Sequence, residues 1–271
     1  MIELTGGHPW QCLLVADSLR YDVFCDANME FINSVSDPVL AQAQGTFTWP
    51  AHQAMMVGHL PHCFDEKPLY NRYCRQLWRL GEGPGTGGSG FQEHPQVSLP
   101  PGKSIVEGFG RLGYATIGSG AVSWFTHPYW AETFQYFRHL TGAEIQFAWV
   151  QSVAATIAPD QPVFLFINFG ETHEPYSHAG MRYSMPEGYQ THKLGHGPLE
   201  VVDFDLLRER QRLAASHLDG IIAEICAFVP KGSRVVFTAD HGECFGEDGY
   251  FGHGFLHEKV MEVPLSIFTV I

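Results

Sequence analysis

The chain has 271 residues, a length that suits one α/β domain or two small ones. Hydrophobic residues make up 45% and charged residues 17%, which argues against a disordered chain. The formal net charge of −13 argues against nucleic acid or an anionic membrane as a partner. This net charge does not exclude an anionic substrate, because a bound metal reverses the sign of the local electrostatic field.

The histidine and cysteine content gives further indications about metal binding and about the redox compartment. The chain holds 15 His, and imidazole is a common metal ligand, so a metal site is expected. The six cysteines form no C-x-x-C pair and indicate free thiols of a reducing compartment. They are Cys12, Cys25, Cys63, Cys74, Cys226 and Cys244. The N-terminus lacks a signal-peptide pattern and no apolar run approaches the ~18 residues that span a bilayer, so we expect a cytoplasmic protein without a membrane partner.

Short apolar runs alternate with helical patterns along the chain. The predicted strands are 11–16, 114–117, 162–168, 234–239 and 263–270. The predicted helices are 104–112, closed by Gly113, then 144–157 and 204–228. This alternation predicts an α/β fold with a mainly parallel central sheet and helices on both faces, in a single domain over 1–271.

Two stretches interrupt this pattern. Residues 81–90 (GEGPGTGGSG) lack the G-x-x-x-x-G-K-[ST] pattern of a phosphate loop and predict a flexible surface loop. Residues 173–196 predict a long loop, and long loops in compact domains are often functional. We interpret the other histidines of this loop as solvated side chains, with a place at the entrance of the pocket as the alternative; they are His178, His192 and His196.

Acidic and imidazole side chains follow three of the predicted strands. Asp17 follows the first strand, Glu171 and His173 follow the strand 162–168, and Asp240-His241 follow the strand 234–239. Ligands bind beyond the carboxyl ends of the strands in open α/β sheets, so these side chains should meet at one edge. An isolated Asp at such a place is equally often a helix N-cap. The combined set, with a glycine-flanked His253 downstream, suits zinc or manganese.

A further segment, GTFTWPAH, contains Thr48. Pro50 fits the first turn of a helix that runs to about Val57 and ends at Gly58. Thr48 would then lie at the helix N-terminus, where free backbone N–H groups favour an anion. Taken alone, the segment fits an N-cap threonine better than a catalytic one.

Together these segments resemble the alkaline phosphatase superfamily, and specifically its sulfatase-like branch, in the same order over nearly the whole chain. VADSLRYD is similar to that family's first strand with its Asp ligand, and TFTWPAHQAMMVGHLPH to its nucleophile segment. GETHEPY is similar to the mid-chain His-x-Pro segment. ADHGECFGEDGYFGHGFLHEKVMEVPLSIF is similar to the Asp-His-Gly block, the downstream His and the final strand.

The resemblance implies a ligand set as well as a nucleophile. It places a divalent metal beside Thr48, which contacts this metal as the nucleophile, with Asp17, Asp240 and His241 as the other ligands. It assigns His173 and His253 either to a second metal or to direct contact with the transferred group. Zn²⁺ is the favoured ion, in one or two copies, with Mn²⁺, Mg²⁺ and Ca²⁺ as alternatives. Glu171 is a weaker candidate ligand, and Arg20 is either a catalytic residue or a structural ion-pair partner.

The sequence also departs from the sulfatase pattern. Sulfatases use a modified Cys or Ser in a C/S-x-P-x-R pattern, whereas this chain has Thr48 and, at the last position, His52. The second acidic residue that usually follows the first ligand is Ser18 here. In the family that this chain resembles, the phosphodiesterase and phosphoethanolamine-transferase branches use a Thr nucleophile. The chain stops after its final strand, so we expect the usual C-terminal subdomain to be absent, and a homo-oligomer or a partner subunit to compensate for it.

The expected function is therefore hydrolysis of a small anionic phosphate ester, mono- or diester, by a metal-dependent enzyme. A phosphotransferase or mutase, a sulfate-ester hydrolase and a non-catalytic metal- or anion-binding relative are the alternatives.

The aromatic cluster of Trp124, Phe125, Tyr129 and Trp130 is interpreted as packing or a partner surface, with a substrate-stacking platform as the alternative. Cys244 is interpreted as a free thiol near the site rather than as a ligand.

Overall fold

The computed structural model describes residues 9–58, 104–185 and 202–271 in full, and residues 79–81 and 96–98 as backbone. The strands are β1 (Gln11–Ala16), β2 (Val39–Gln42), β3 (Arg79–Gly81), β4 (Gln96–Ser98), β5 (Ala115–Gly120), β6 (Tyr136–His139), β7 (Val163–Phe169), β8 (Arg234–Ala239), β9 (Cys244–Phe245), β10 (Phe251–Gly252) and β11 (Glu262–Thr269). The helices are α1 (Tyr21–Asp26), α2 (Glu30–Val35), α3 (Thr48–Val57), α4 (Ile105–Arg111), α5 (Pro128–Thr133), α6 (Ala143–Ala154), α7 (Phe204–Phe228) and α8 (Glu258–Met261). Short 3₁₀ helices span Ser123–Thr126 and Glu247–Gly249.

The central sheet has seven strands in the order β2-β11-β8-β1-β7-β5-β6. Strands β8, β1, β7, β5 and β6 are parallel, so the predicted mainly parallel sheet is confirmed. Strand β11 lies close to its predicted range but runs antiparallel to both β8 and β2. The connection from β8 to β11 stays at the carboxyl end of β8, because Leu265 of β11 pairs with Thr238 of β8.

Helices cover both faces of this sheet, as predicted. Alternate side chains of one strand point to opposite faces. Leu14 of β1 packs in the larger core with helices α1, α2, α6 and α7. Its neighbour Val15 packs in a second core with helices α3, α4 and α5. The site-bearing ends of the strands are therefore held from both sides.

The long, strongly patterned elements match the sequence predictions best. Strands 11–16 and 234–239 and helix 204–228 have the predicted bounds. Ser104 caps α4 in a capping box with Glu107, and Gly113 ends the region with a positive φ of 87°. The helices and strands of the described residues that the sequence did not predict are all short: β2, β3, β4, β6, β9, β10, α1, α2, α5 and α8. The predicted loop 81–90 lies outside the described residues apart from Gly81, and 173–185 contains neither helix nor regular strand.

Gly242 of the Asp-His-Gly segment is required by packing. A Cβ there would lie 2.1 Å from the carbonyl oxygen of Lys259, while its backbone N–H donates to the Val260 carbonyl over 2.7 Å. We expect Gly242→Ala to destabilise the fold by about 1–3 kcal/mol, because backbone must move to admit the methyl group. Gly220 on α7 has nothing within 4 Å of such a Cβ, so Gly220→Ala should stabilise by up to about 1 kcal/mol. Urea unfolding of both variants tests this, and equal stabilities would contradict it.

Candidate active site

The candidate site lies where three neighbouring parallel strands end. Strand β1 leads into Asp17, β7 into Glu171–His173 and β8 into Asp240-His241, and β1 lies between β7 and β8 in the sheet. The Asp17 N–H donates to the carbonyl of Phe169, the last residue of β7. The prediction that these residues share one edge of the sheet is confirmed.

A buried group of two carboxylates and one imidazole forms the centre of the site. One ligand atom each from Asp17, Asp240 and His241 lies within 4.8 Å of the others, and all three residues are buried. Asp240 Oδ1 accepts the backbone N–H groups of Ser18 (3.0 Å) and His241 (2.9 Å). Among the described residues Asp240 Oδ2 has no hydrogen-bond partner, although His241 Nε2 lies 3.4 Å and His52 Nδ1 3.5 Å from it. Burial, together with the charge of Asp17, raises the pKa of Asp240 well above its usual value. A buried carboxylate oxygen without a donor fits a cation.

Hydrogen bonds to carbonyl and carboxylate oxygens set the tautomer of three histidines. Each of them has Nδ1 beside an oxygen that only accepts, so Nδ1 carries the proton and Nε2 keeps its lone pair. The three pairs are His241 with the Gly242 carbonyl (2.9 Å), His173 with the Glu174 carbonyl (2.9 Å) and His253 with Glu243 Oε1 (3.3 Å). This outer contact on the second ring nitrogen is typical of metal-binding histidines.

The three imidazoles also lie next to one another. The ring centroid of His253 is 4.5 Å from that of His241 and 5.5 Å from that of His173. Burial, followed by the His253 charge, lowers the pKa of His241 to about 3, so this ring is neutral and able to bind metal. Burial opposes ionisation of Asp17, but the neighbouring histidines, His173 first, together with the hydrogen bond from Asn168, outweigh it and lower the pKa of Asp17. The site therefore holds one ionised carboxylate next to a group of imidazoles.

Thr48 is the first residue of α3 and its hydroxyl faces this group. Thr48 Oγ1 lies 3.5 Å from Asp17 Oδ2 and 3.5 Å from His241 Nε2. The N-cap residue is Phe47, without a side-chain cap, so the N-cap interpretation of Thr48 does not hold. The first backbone N–H groups of a helix have no acceptor within the helix, and Pro50 has no N–H. The N–H groups of Thr48 and Trp49 are therefore the donors that this helix N-terminus offers to an anion.

His52 and Asn168 link helix α3 to the Asp17–Asp240–His241 group, and the sequence analysis predicted this role for neither. His52 donates its Nδ1–H to the Thr48 carbonyl over 2.8 Å, one turn back along α3. Asn168 donates from Nδ2 to Asp17 Oδ2 (2.9 Å) and lies 3.5 Å from His52 Nε2. Its Oδ1 accepts the Ala121 N–H over 3.3 Å, which fixes the amide orientation. A buried Asn near the end of an apolar strand was the only sequence signal for this role.

Solved structures with similar folds were found, although no family model and no curated protein matches the chain. A protein in the alkaline phosphatase superfamily from Vibrio parahaemolyticus is 12% identical, with a TM-score of 0.58 over 98% of this chain and 61% of its own. The chain has an alkaline-phosphatase-like fold. The C-terminal periplasmic domain of phosphoethanolamine transferase EptC from Campylobacter jejuni (15% identity, TM-score 0.59, 99% of this chain and 82% of that one) shares it. So does phosphonate monoester hydrolase of Agrobacterium radiobacter (14% identity, TM-score 0.59, 96% and 68%).

One neighbour with this alkaline-phosphatase-like fold contains a metal. The C-terminal periplasmic domain of EcEptC from Escherichia coli was solved as a complex with zinc, and it is 11% identical to this chain. Its TM-score is 0.62 over 97% of this chain and 73% of that one. In this chain, the buried Asp17–Asp240–His241 group could hold a metal ion. In the part of the chain that the structure describes, no helix is long and apolar enough to cross a membrane.

Ser18 replaces the second acidic residue expected for the sulfatase-like branch. Its φ of 64° places it in the left-handed region, which is strained for a residue other than glycine. In this conformation the Ser18 N–H donates to Asp240 Oδ1, and the Ser18 hydroxyl donates to Asp17 Oδ1 over 3.2 Å. Gln211 of α7 anchors this turn, because its Nε2 donates to the carbonyls of Ser18 (2.9 Å) and Thr172 (3.0 Å). Ser18 thus orients both carboxylates without adding a third charge.

Arg20 and Glu171 have partners outside the metal-binding group. Arg20 is buried, and its guanidinium donates to both carboxylate oxygens of Asp22, to Glu247 and to the Glu243 carbonyl. These contacts are those expected if Arg20 is a structural ion-pair partner. A direct catalytic role for Arg20 stays a prediction. Glu171 accepts the N–H of Ala143, the first residue of α6, over 2.6 Å. It is therefore a helix-terminal acceptor rather than a member of the group.

The cysteines and the loop histidines that the sequence analysis considered are the remaining residues to place. Cys12, Cys25, Cys226 and Cys244 are free thiols, and burial raises the pKa of Cys244 to about 12, so it stays protonated. His178 is 7% exposed and donates Nδ1–H to the Tyr176 carbonyl, so its interpretation as a solvated residue was wrong. The ring of His178 packs near those of Tyr183 and His217, with centroid distances of 5.9 Å and 6.0 Å, instead of facing solvent. His192, His196, Cys63 and Cys74 lie outside the described residues.

Proposed function

We propose that this chain is a metal-dependent hydrolase of phosphate or phosphonate esters with Thr48 as its nucleophile. The observation that supports this most directly is the place of Thr48 Oγ1, 3.5 Å from both Asp17 Oδ2 and His241 Nε2 at the start of α3. A hydroxyl at the edge of a metal-binding group and at a helix N-terminus is suited to attack a bound anion. The ion is proposed to be zinc, in one or two copies, with Asp17, Asp240 and His241 as first ligands.

The chain's own residues would divide the work of the reaction. When bound, the metal would lower the pKa of the Thr48 hydroxyl and offset negative charge on the substrate. Thr48 Oγ1 attacks phosphorus, its bond to phosphorus forms as the bond to the leaving alcohol breaks, and the alcohol takes up a proton. The N–H groups of Thr48 and Trp49 orient the anion at the helix end. Water then cleaves the phosphothreonine and restores the hydroxyl.

Transfer to an alcohol instead of water is the second candidate. The similarity to a phosphoethanolamine transferase favours it, and it uses the same nucleophile and metal. Sulfate-ester hydrolysis is disfavoured, because the position of the sulfatase arginine is occupied by His52. This ring is buried and packs edge-on against Phe125 and Phe166, so it cannot act as an exposed cation at the substrate.

Turnover of four chromogenic esters by the zinc-loaded protein tests the proposal. The esters are bis(4-nitrophenyl) phosphate, 4-nitrophenyl phosphate, 4-nitrophenyl phenylphosphonate and 4-nitrophenyl sulfate. We expect at least one phosphorus ester to be cleaved faster than the sulfate ester. Added ethanolamine or methanol should not be incorporated into the product if water is the acceptor. Cleavage of the sulfate ester alone, or of none of the four, would contradict the proposal.

Metal binding should stabilise the protein in a pH-dependent way. Since the folded-state pKa of Asp240 is raised, its contribution to the stability of the metal-free protein is full below the unfolded pKa and is lost as pH rises through the folded pKa. A metal ion replaces that proton, so zinc affinity should rise with pH over this interval, with proton release. At zinc concentrations about 100 times Kd the stabilisation should be about 2.7 kcal/mol. Thermal melts and calorimetry in two buffers check this, and a pH-independent affinity would contradict it.

The compartment and the substrate class are part of the same proposal. Free buried thiols at Cys12, Cys226 and Cys244 support a reducing, cytoplasmic environment, whereas two of the similar structures are periplasmic domains. The net charge of −13 supports a small anionic ester bound through the metal rather than a nucleic acid.

A further inference from the structure

A buried carboxylate that the proposed reaction leaves unused lies behind His253. Glu243 follows the Asp-His-Gly segment and is fully buried. Its Oε1 lies 3.3 Å from His253 Nδ1, and its Oε2 accepts the hydroxyl of Tyr176 over 2.6 Å. A buried carboxylate is costly unless donors face it, and here each oxygen has a donor. Glu243 therefore joins a histidine that follows the β9–β10 hairpin to a tyrosine of the loop after β7.

Tyr176 connects Glu243 to the other outer histidine, His173. Tyr176 is buried, its ring centroid lies 5.9 Å from that of Phe245, and its N–H donates to the His173 carbonyl over 2.8 Å. Its φ of 66° lies in the left-handed region, which is strained for a residue other than glycine. Such strain persists only where the surroundings hold it, and it concentrates at functional sites. The backbone of Tyr176 thus fixes the turn that carries His173, while its hydroxyl fixes Glu243.

The backbone of Glu243 is held independently of its side chain. Its carbonyl accepts a hydrogen bond from Arg20 Nη1 over 3.2 Å. The next residue, Cys244, pairs with Gly252 in the β9–β10 hairpin, and Gly252 directly precedes His253. The side chain of Glu243 and the strand that pairs with its neighbour therefore both determine where His253 lies.

The spacing of His173 and His253 suits one metal ion. Their ring centroids are 5.5 Å apart, and in both rings Nδ1 faces an acceptor, so that Nε2 keeps its lone pair. Two imidazoles that bind one tetrahedral zinc ion through nitrogen have ring centroids about 5 Å apart. A carboxylate on the second nitrogen of such a ring fixes its orientation and raises its basicity. This arrangement favours metal binding by the two histidines over direct contact with the transferred group.

We propose that Glu243, oriented by Tyr176, is the positioning residue that makes His253 a ligand of a second zinc ion, which His173 also binds. This inference rests on the proposed function, because it adds a second ion to the same site. It accounts for a buried carboxylate and a strained tyrosine that a single ion at the Asp17–Asp240–His241 group does not require.

The tautomer of His253 tests the positioning role without metal or substrate. Nitrogen NMR of the histidine-labelled, metal-free protein is recorded in alkaline buffer, where the rings are neutral, and the His253 signal is identified by its loss in His253→Gln. We expect the wild-type ring to carry its proton on Nδ1. Glu243→Gln keeps an acceptor oxygen and should retain this tautomer, whereas Glu243→Met fills the space without an acceptor and should lose it. A wild-type ring protonated on Nε2 would overturn the inference.

Calorimetric zinc titrations test the metal-binding role. We expect the wild-type chain to bind two ions. The affinity for the second ion should fall by about 10- to 100-fold in Glu243→Met and by at least about threefold in Tyr176→Phe. The affinity for the first ion should stay within about threefold of the wild type, which also reports that each variant is folded. Tyr183→Phe is the matched control for Tyr176→Phe, because the Tyr183 hydroxyl contacts Met181 Sδ outside the site, and it should bind both ions as the wild type does.

The outcomes separate this inference from the proposed function. A wild-type chain that binds a single zinc ion, or a Glu243→Met chain that binds the second ion as tightly as the wild type, would overturn the inference even if esters are turned over. If Glu243→Met does not fold, Tyr176→Phe decides, since an unchanged affinity for the second ion overturns the inference and a selective loss supports it. Failure of the proposed function would appear instead as absent turnover of all four chromogenic esters while two ions are bound.

Discussion

Thr48→Ala is expected to lower kcat for the best phosphorus ester by at least about 10³-fold, because it removes the atom that we propose to attack phosphorus. The side chain is not an N-cap, and its contacts to Asp17 and His241 are long, at 3.5 Å. The free energy of unfolding should therefore fall by less than about 2 kcal/mol. Thr48→Ser keeps the hydroxyl and should retain partial activity. Steady-state kinetics and urea unfolding measure both effects.

Thr46→Ala is the matched control for this variant. Thr46 lies two residues before Thr48 and contacts the site through its carbonyl, which accepts the Gly254 N–H over 2.7 Å and is kept in alanine. Activity of Thr46→Ala should stay within about threefold of the wild type, as for a surface substitution without a special role. Near wild-type turnover by Thr48→Ala would show that a water molecule, rather than Thr48, attacks the substrate.

Asp240→Asn is expected to abolish the response to zinc and to stabilise the metal-free protein. Asp240 is buried, its pKa is raised by burial and by the Asp17 charge, and its Oδ2 accepts no hydrogen bond from the residues that the structure describes. Asparagine keeps Oδ1 as the acceptor for Ser18 and His241, and its amide can donate to His241 Nε2, 3.4 Å from the replaced oxygen. A gain of about 1 kcal/mol corresponds to a rise in Tm of about 2–4 °C for a chain of this size.

The gain from Asp240→Asn should increase with pH. The folded-state pKa of Asp240 is raised, so the wild-type chain loses the contribution of this group as pH rises through that pKa, whereas asparagine does not titrate. Asp160→Asn, at an exposed position, should change stability by less than about 0.5 kcal/mol at any pH. Melting curves with and without zinc at several pH values measure this. A lower Tm of the metal-free Asp240→Asn protein would contradict the account.

The sequence was sufficient for the parts of the site that strand ends determine. Asp17 and Asp240 each follow a strongly apolar run, and the convergence of parallel strand ends is enough to place them together. His253 is different, because it follows no predicted strand; its flanking glycines singled it out, and only the resemblance gave it a role. The β9–β10 hairpin brings it to 4.5 Å from the His241 ring.

The parts that sequence could not supply depend on contacts between distant segments. His52 and Asn168 are separated by more than a hundred residues, and their relation to Asp17 arises only when α3 packs on the end of β7. Short elements such as β2 and α1 have four and six residues, too few for a periodic pattern to identify them. The direction of β11 was missed for a similar reason, since alternation of apolar residues is the same in parallel and antiparallel strands.

The phosphothreonine at Thr48 is the central claim, and it can be observed directly. The zinc-loaded protein is mixed with its best phosphorus ester, quenched in acid within the first turnover and digested for mass spectrometry. The account predicts that the peptide containing Thr48 gains the mass of one phosphoryl group on Thr48, and that Thr48→Ala yields no modified peptide. An enzyme that releases the alcohol in a burst while every peptide stays unmodified would contradict it.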